Sequence, residues 1–165
     1  MRSSIDIRKT EVEDIPRLQE IFAAARSYMA ANGNPGQWDS SYPGRQLLED
    51  DIAAGDSYVC TSEGRIIASF VLREGDDPTY AVIEGGQWLS DRPYATIHRI
   101  ASSGEEGGIF ERVMEFALEK HDSIRIDTHA DNKIMQRLVL KYGFVYCGTI
   151  RCWNGSERLA YQYDK

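Results

Sequence analysis

One run constrains this chain more than any other: Ile97-His98-Arg99-Ile100-Ala101-Ser102-Ser103-Gly104-Glu105-Glu106-Gly107-Gly108-Ile109-Phe110. It reads as a β-rich stretch, a loop of small residues, and a helix that opens on two glycines. Such a strand, loop and helix offer free backbone N–H groups and the positive end of a helix dipole to an anion. Further along stands Asn132-Lys133-Ile134-Met135-Gln136-Arg137-Leu138-Val139-Leu140-Lys141-Tyr142-Gly143-Phe144. Asn132 is placed to cap a helix. Gly143 suits the left-handed position that ends one, and Phe144 suits entry into a buried strand.

The rest of the chain alternates strand and helix signals. Ser4 to Arg8 alternates apolar Ile5 and Ile7 with polar residues, as a first strand does. Thr10 and Glu13 resemble a capping box, and Pro16 suits a first helical turn. Leu18, Ile21, Phe22, Ala25 and Met29 then recur at helical spacing, until Asn32-Gly33-Asn34-Pro35-Gly36 stops the helix. A loop with two large aromatics follows, Gln37-Trp38-Asp39-Ser40-Ser41-Tyr42-Pro43. Beyond it we expect a helix over 46–54, strands at 58–60, 66–72, 80–83 and 94–101, and a helix over 108–120. A strand at 124–128, a helix over 133–141 and strands at 144–150 and 159–163 complete the order. With no internal repeat or linker, the pattern predicts one α/β domain over 1–165.

Composition excludes several function classes. The net charge of −7 argues against a nucleic-acid surface, which needs clustered Lys and Arg. No apolar run approaches the roughly 20 residues of a membrane span, and Met1-Arg2-Ser3-Ser4-Ile5-Asp6 lacks the apolar core of a signal peptide. A cytoplasmic location is the expectation. Cys60, Cys147 and Cys152 form neither a CxxC pair nor an even set, and the three histidines are scattered. Buried thiols are expected, without a metal site.

The order and spacing of the two blocks resemble the GNAT family, the acyl-CoA-dependent N-acetyltransferases. The family loop pattern, Q/R-x-x-G-x-G/A, falls on Glu105 to Phe110, with Gly108 at its first glycine and Glu105 and Phe110 departing from it. The second pattern, N-x-x-A-x-x-L-Y-x-K-x-G-F, is matched at Asn132, Leu138, Lys141, Gly143 and Phe144. The resemblance implies a mixed, mostly antiparallel central sheet flanked by helices. It also implies acetyl-CoA as cosubstrate, held by Ile100, Ala101, Ser102, Ser103, Gly104, Gly107, Gly108 and Ile109 at the pyrophosphate end. Asn132 would touch the pantetheine arm. Splayed fourth and fifth strands would leave N–H groups near Ile100 to polarise the thioester carbonyl, as an oxyanion hole does.

Transfer from a thioester to an amine needs a base, because an alkylammonium has a pKa of about 10. His98 suits that task, and strand alternation sets Tyr94, Thr96 and His98 on one face. His98 is equally read as a hydrogen-bonded core histidine; His129 and Asp127 are further candidates. The tyrosine that protonates the leaving sulfur in many family members is replaced by Val139, leaving Tyr142, three residues on, as a substitute acid. A thiol with a pKa of about 8.5 also leaves readily as the thiolate. Trp38, Tyr42 and Tyr94, with Gln37, Trp88 and Asp91, are candidates for the acceptor pocket. Overall acidity favours a cationic acceptor such as a polyamine, an aminoglycoside or a basic peptide terminus. Glu105, Glu106, Phe110 and Val139 keep a second reading open, a noncatalytic module of the same fold that binds acyl-CoA or another small ligand. The resemblance leaves a homodimer open as well.

Overall fold

The computed structural model describes residues 4–38, 41–152 and 155–165. Asp39 and Ser40 of the aromatic loop, and residues 1–3 of the segment tested for a leader, lie outside the described residues. The elements are β1 (Asp6–Lys9), α1 (Ile15–Ala31), α2 (Arg45–Ala53), β2 (Ser57–Ser62), β3 (Arg65–Glu74), β4 (Ala95–Ser102), α3 (Ile109–Lys120), β5 (Ser123–Thr128), α4 (Lys133–Tyr142), β6 (Val145–Arg151) and β7 (Glu157–Asp164). The strands form one sheet in the order β1-β2-β3-β4-β5-β7-β6. Every neighbouring pair is antiparallel except β4 and β5. This is the mixed α/β sheet that the sequence implied.

Two expectations change. Residues 80–83 do not form a strand: Pro78–Tyr80 is a 3-10 turn, and only Glu84 bridges to the sheet, at Thr149. Pro78 has no N–H to give a ladder, and the Asp77 carboxylate caps the turn by accepting from the Thr79 N–H at 2.9 Å and its hydroxyl at 2.7 Å. Nor does Thr10 pair with Glu13. Thr10 is buried and accepts from the Ser57 hydroxyl, while Asp14 accepts from the Glu11 N–H in the 3-10 turn that leads into α1.

Helical spacing decides which residues are buried. Leu18, Ile21, Phe22 and Ala25 of α1 pack with Leu48 of α2, Val59, Ile66 and Ala101. In another cluster Ile109, Phe110, Val113, Met114 and Ala117 of α3 pack with Phe70, Ile97, Ile124, Val139, Phe144 and Tyr161. Each such large side chain contributes about 1.5–3 kcal/mol by leaving water. Tyr80, Tyr94, Ile150 and Ala160 form a smaller cluster that seats the 75–94 segment.

The sheet opens at one place. Strands β4 and β5 pair only at Ala95 with Ile124 and at Thr96 with Arg125, though both run on past that point. Beyond Thr96, the backbone groups that β4 would offer β5 have no ladder partner. On its other edge β4 carries an extra residue: Ala101 faces Ser69 and His98 faces Val71. Arg99 absorbs the extra residue in the left-handed region, at φ 49°. A bulge of this kind bends the strand and re-aims its side chains.

Candidate active site

Two clefts meet where the sheet opens. The first, about 370 Å³ in volume, is walled by Trp38 and Tyr42 of the loop after α1, by His98 and Arg99 of β4, and by Asp127 and Arg158. The second, about 610 Å³, runs along the β4–α3 loop and the start of α4. Met29, Ile100, Asn132 and Met135 line both.

Within the first cleft His98 Nε2 lies 2.9 Å from Asp77 Oδ2. Asp77 has further partners: its backbone N–H donates to the Tyr94 hydroxyl at 2.8 Å, and its Oδ1 accepts twice from Thr79. Burial opposes ionisation of Asp77, but the bonds from His98 and Thr79 outweigh it and hold the carboxyl far below the usual carboxylate range. A fixed carboxylate thus orients the imidazole, the arrangement that readies a histidine to take a proton. Asp127 stands beside them and accepts from the Tyr80 hydroxyl at 2.6 Å. Burial pushes the Asp127 carboxyl up, against the pull of Tyr80, His98 and Arg158.

A depressed Asp77 has a consequence for stability. Its folded pKa lies below its unfolded value of about 3.9, so the ionised form stabilises the fold above that pH, and the gain is lost as pH falls through the folded value. Asp77→Asn is expected to lower the melting temperature near neutral pH, with the gap to the wild type narrowing below about pH 4. A gap that stays constant through the acid range would mean that Asp77 titrates no differently on folding.

The second cleft carries the anion-facing backbone. Helix α3 begins at Gly108 (φ 78°) with no side-chain cap, which leaves its first-turn N–H groups exposed to the groove. A Cβ at Gly104, Gly107 or Gly108 would meet nothing within 4 Å, so the space over the loop is open. The Ser102 hydroxyl accepts from the Gly104 N–H at 3.0 Å, and the Ser103 hydroxyl from the Glu105 N–H at 3.3 Å. The Gly104 and Glu105 amides are therefore already engaged within the loop. Glu105 turns away to Arg17, at 2.8 Å, and Arg65, at 3.1 Å. Glu106 and Glu111 stay on the groove, and no Lys or Arg is among its described lining residues.

No protein-family model matches the sequence, and no curated protein matches it. Solved structures do. A GNAT-family acetyltransferase from Streptococcus agalactiae 2603 is 31% identical, with a TM-score of 0.86 over 100% of this chain and 98% of that one. The chain belongs to the GNAT family of acetyltransferases. A GNAT acetyltransferase from Listeria monocytogenes 4b F2365 shares the fold at 19% identity and a TM-score of 0.72, over 100% of this chain and 99% of that one. So does the polyamine N-acetyltransferase of Drosophila melanogaster, at 17% identity and 0.60, over 98% and 100%.

For a GNAT enzyme the residues singled out from sequence divide cleanly. Ile100, Ala101, Ser102, Ser103, Gly104, Gly107, Gly108, Ile109 and Asn132 all line the second cleft. Asn132 caps α4, its Oδ1 accepting from the Met135 N–H at 3.0 Å, while its amide donates to Gln37 Oε1 at 3.2 Å. His98, Trp38 and Tyr42 line the first cleft. Tyr142 lines neither: it packs edge-on against Phe110 and Tyr163, with Phe144 beside it. It lies on the same face of α4 as the cleft-lining Met135 and Leu138, one to two turns further along and past the lined stretch, so its role as acid on the sulfur stands as a proposal. Tyr94 is also no pocket wall. It is buried behind the site, holding the Asp77 amide on one side and the Arg125 guanidinium over its ring, at 3.9 Å, on the other. His129 accepts from the Asp131 N–H at the start of α4, and Trp88 donates to the Tyr80 carbonyl; neither lines a cleft.

Sequence reasoning missed Asp77, Tyr80, Arg99 and Arg158. Asp77 had a local signal, an Asp followed by Pro78 and Thr79, which is a turn cap. Nothing in its neighbourhood pointed to His98.

Proposed function

We propose that this chain transfers an acetyl group from acetyl-CoA to the primary amine of a small molecule or peptide by direct attack. The observation that carries the reading is the junction itself, where a cleft with an oriented histidine meets, at Ile100, a groove of uncapped backbone donors. Bound in the groove, acetyl-CoA would supply an activated thioester carbonyl. Gly107, Gly108, Ile109 and Phe110 would offer N–H groups to the pyrophosphate, and Asn132 and Met135 would flank the arm that leads to the junction. The backbone of β4 past Thr96 would stabilise negative charge on the carbonyl oxygen. The amine nitrogen bonds to the acyl carbon as the C–S bond breaks, its proton passes to His98, and the sulfur leaves as a thiolate.

No Lys or Arg lines the groove among the described residues, which favours a second reading, a module that binds acyl-CoA without turning it over. Calorimetry with acetyl-CoA and CoA, followed by thiol release with a panel of amines, separates the two. Binding with turnover supports the enzyme, binding without turnover the module, and no binding refutes both. Among the described residues no helix is long and apolar enough to cross a membrane, which agrees with the cytoplasmic setting we propose.

The groove carboxylates give a further expected result. Glu106 lines the groove where the polyanion would lie, and a like charge costs about 1 kcal/mol at 4 Å when fully solvated. Glu106→Gln is expected to tighten acetyl-CoA binding roughly fivefold, more at low salt. Glu105→Gln should bring no such gain, because its charge is already spent on Arg17 and Arg65. Equal gains from both would show that Glu105 also faces the cosubstrate.

A further inference from the structure

Arg158 begins the inner face of β7. Its strand neighbour Ala160 pairs with Asp127, so the guanidinium lies along the same face of the sheet as the candidate base. It is 7% exposed and lines the first cleft. Among the described residues its hydrogen bonds run to neutral oxygens: the Ser156 hydroxyl at 3.0 Å, the Glu157 carbonyl at 3.3 Å and the Gln37 carbonyl at 3.3 Å. No carboxylate of the described residues forms an ion pair with it. The other cleft cations differ. Arg99 is matched by Asp51 at 2.7 Å, and Arg73 lies between Asp51 and Asp56 at 4.0 and 3.8 Å. The cleft carboxylates are occupied too, Asp77 by His98 and Thr79, and Asp127 by Tyr80. A desolvated guanidinium with no ion-pair partner among the described residues is costly, and its planar fork matches a carboxylate.

We infer that the acceptor is a primary amine that also carries a carboxylate, an amino-acid-like molecule whose anion is held by Arg158 while its amine lies at His98. This rests on the acetyltransferase reading above. It runs against the cationic acceptor that overall charge suggests: a second cation would give Arg158 no ion-pair partner, whereas a carboxylate supplies one. The net charge of −7 belongs to the whole surface. The cleft has its own balance, and the groups that line it decide what binds.

The test compares each acceptor with its decarboxylated partner: L-arginine with agmatine, L-tyrosine with tyramine, and the other proteinogenic amino acids with their amines. For wild type, kcat/KM for at least one carboxylated member should exceed that of its partner by at least about tenfold. Arg158→Gln should erase the preference, raising KM for the carboxylated acceptor about tenfold or more while changing the decarboxylated partner by less than about threefold. Loss of the Gln37 anchor alone would weaken both members equally, and that outcome overturns the assignment to Arg158. Arg158→Lys, which keeps the charge without the fork, should fall between and guards against misfolding of the Gln variant. If wild type prefers the decarboxylated members, or acetylates no member of any pair while still binding acetyl-CoA, the inference fails and the cosubstrate assignment stands. Absence of acetyl-CoA binding overturns both.

Discussion

His98→Ala is expected to lower the rate of acetyl transfer by about two to four orders of magnitude, the usual contribution of a positioned general base. The dissociation constant for acetyl-CoA should stay within about twofold, since His98 lines the first cleft and not the groove. The two readouts together distinguish a base from a folding residue. Removing the imidazole also takes a partner from Asp77, which keeps only Thr79 on its side chain, so His98→Gln is the control that retains a hydrogen bond. If both variants keep more than about a third of wild-type kcat, His98 is a half-buried histidine serving Asp77, and the proton leaves by another route. Raising the pH should restore part of the lost rate, because a larger share of the amine is then neutral without help.

Asp51→Ala should be the most destabilising single change around the site. Asp51 sits on α2 with its side chain 4% exposed, 2.7 Å from Arg99, whose side chain is 11% exposed. Arg99 also donates to the Tyr42 hydroxyl at 3.3 Å, and its Nε has no partner. Removing the carboxylate strands a guanidinium that the bulge at φ 49° already aims inward. Breaking a buried pair from one side costs about 3–5 kcal/mol, and urea unfolding would show it as a lowered midpoint. Arg99→Met in the same chain should recover most of the loss, because the unpaired charge is then gone. A loss under about 1 kcal/mol would mean that water or Arg73 and Tyr42 compensate, and that the pair is a surface contact in energetic terms. The acceptor KM should rise as well, since Arg99 ties the aromatic loop to β4 through Tyr42.

These two effects come from contacts of different origin, which bears on what could be read in advance. The groove was legible because its signals are local. Small residues and glycines at a strand-to-helix turn expose backbone donors whatever the rest of the chain does, and Asn132 caps the helix it begins. The helical faces of α1 and α3 were legible from spacing for the same reason. The extra strand at 80–83 was misread because Tyr80, Val82 and Ile83 carry strand propensity, whereas tertiary packing buries Tyr80 as a plug under His98 and Asp127. Tyr142 shares the helical phase of Met135 and Leu138, but phase does not say how far along α4 the cleft runs.

By itself, the sequence determined the order of elements outside 80–83, the sides of the helices that face the core, the glycine-rich turn before α3 and the family that they resemble. Each follows from periodicity or from the backbone freedom of a few neighbouring residues. Only the tertiary structure decided the chemistry of the acceptor cleft. Asp77 meets His98 across 21 residues, Asp51 meets Arg99 across 48, and Arg158 reaches Gln37 across 121. Such pairs leave no periodic trace, because a carboxylate or guanidinium has the same local propensity whichever partner it will find. Their meeting depends on the strand order β3-β4-β5-β7 and on the one-residue bulge that turns β4 at Arg99. Charge pairing in a desolvated cleft is set by that geometry.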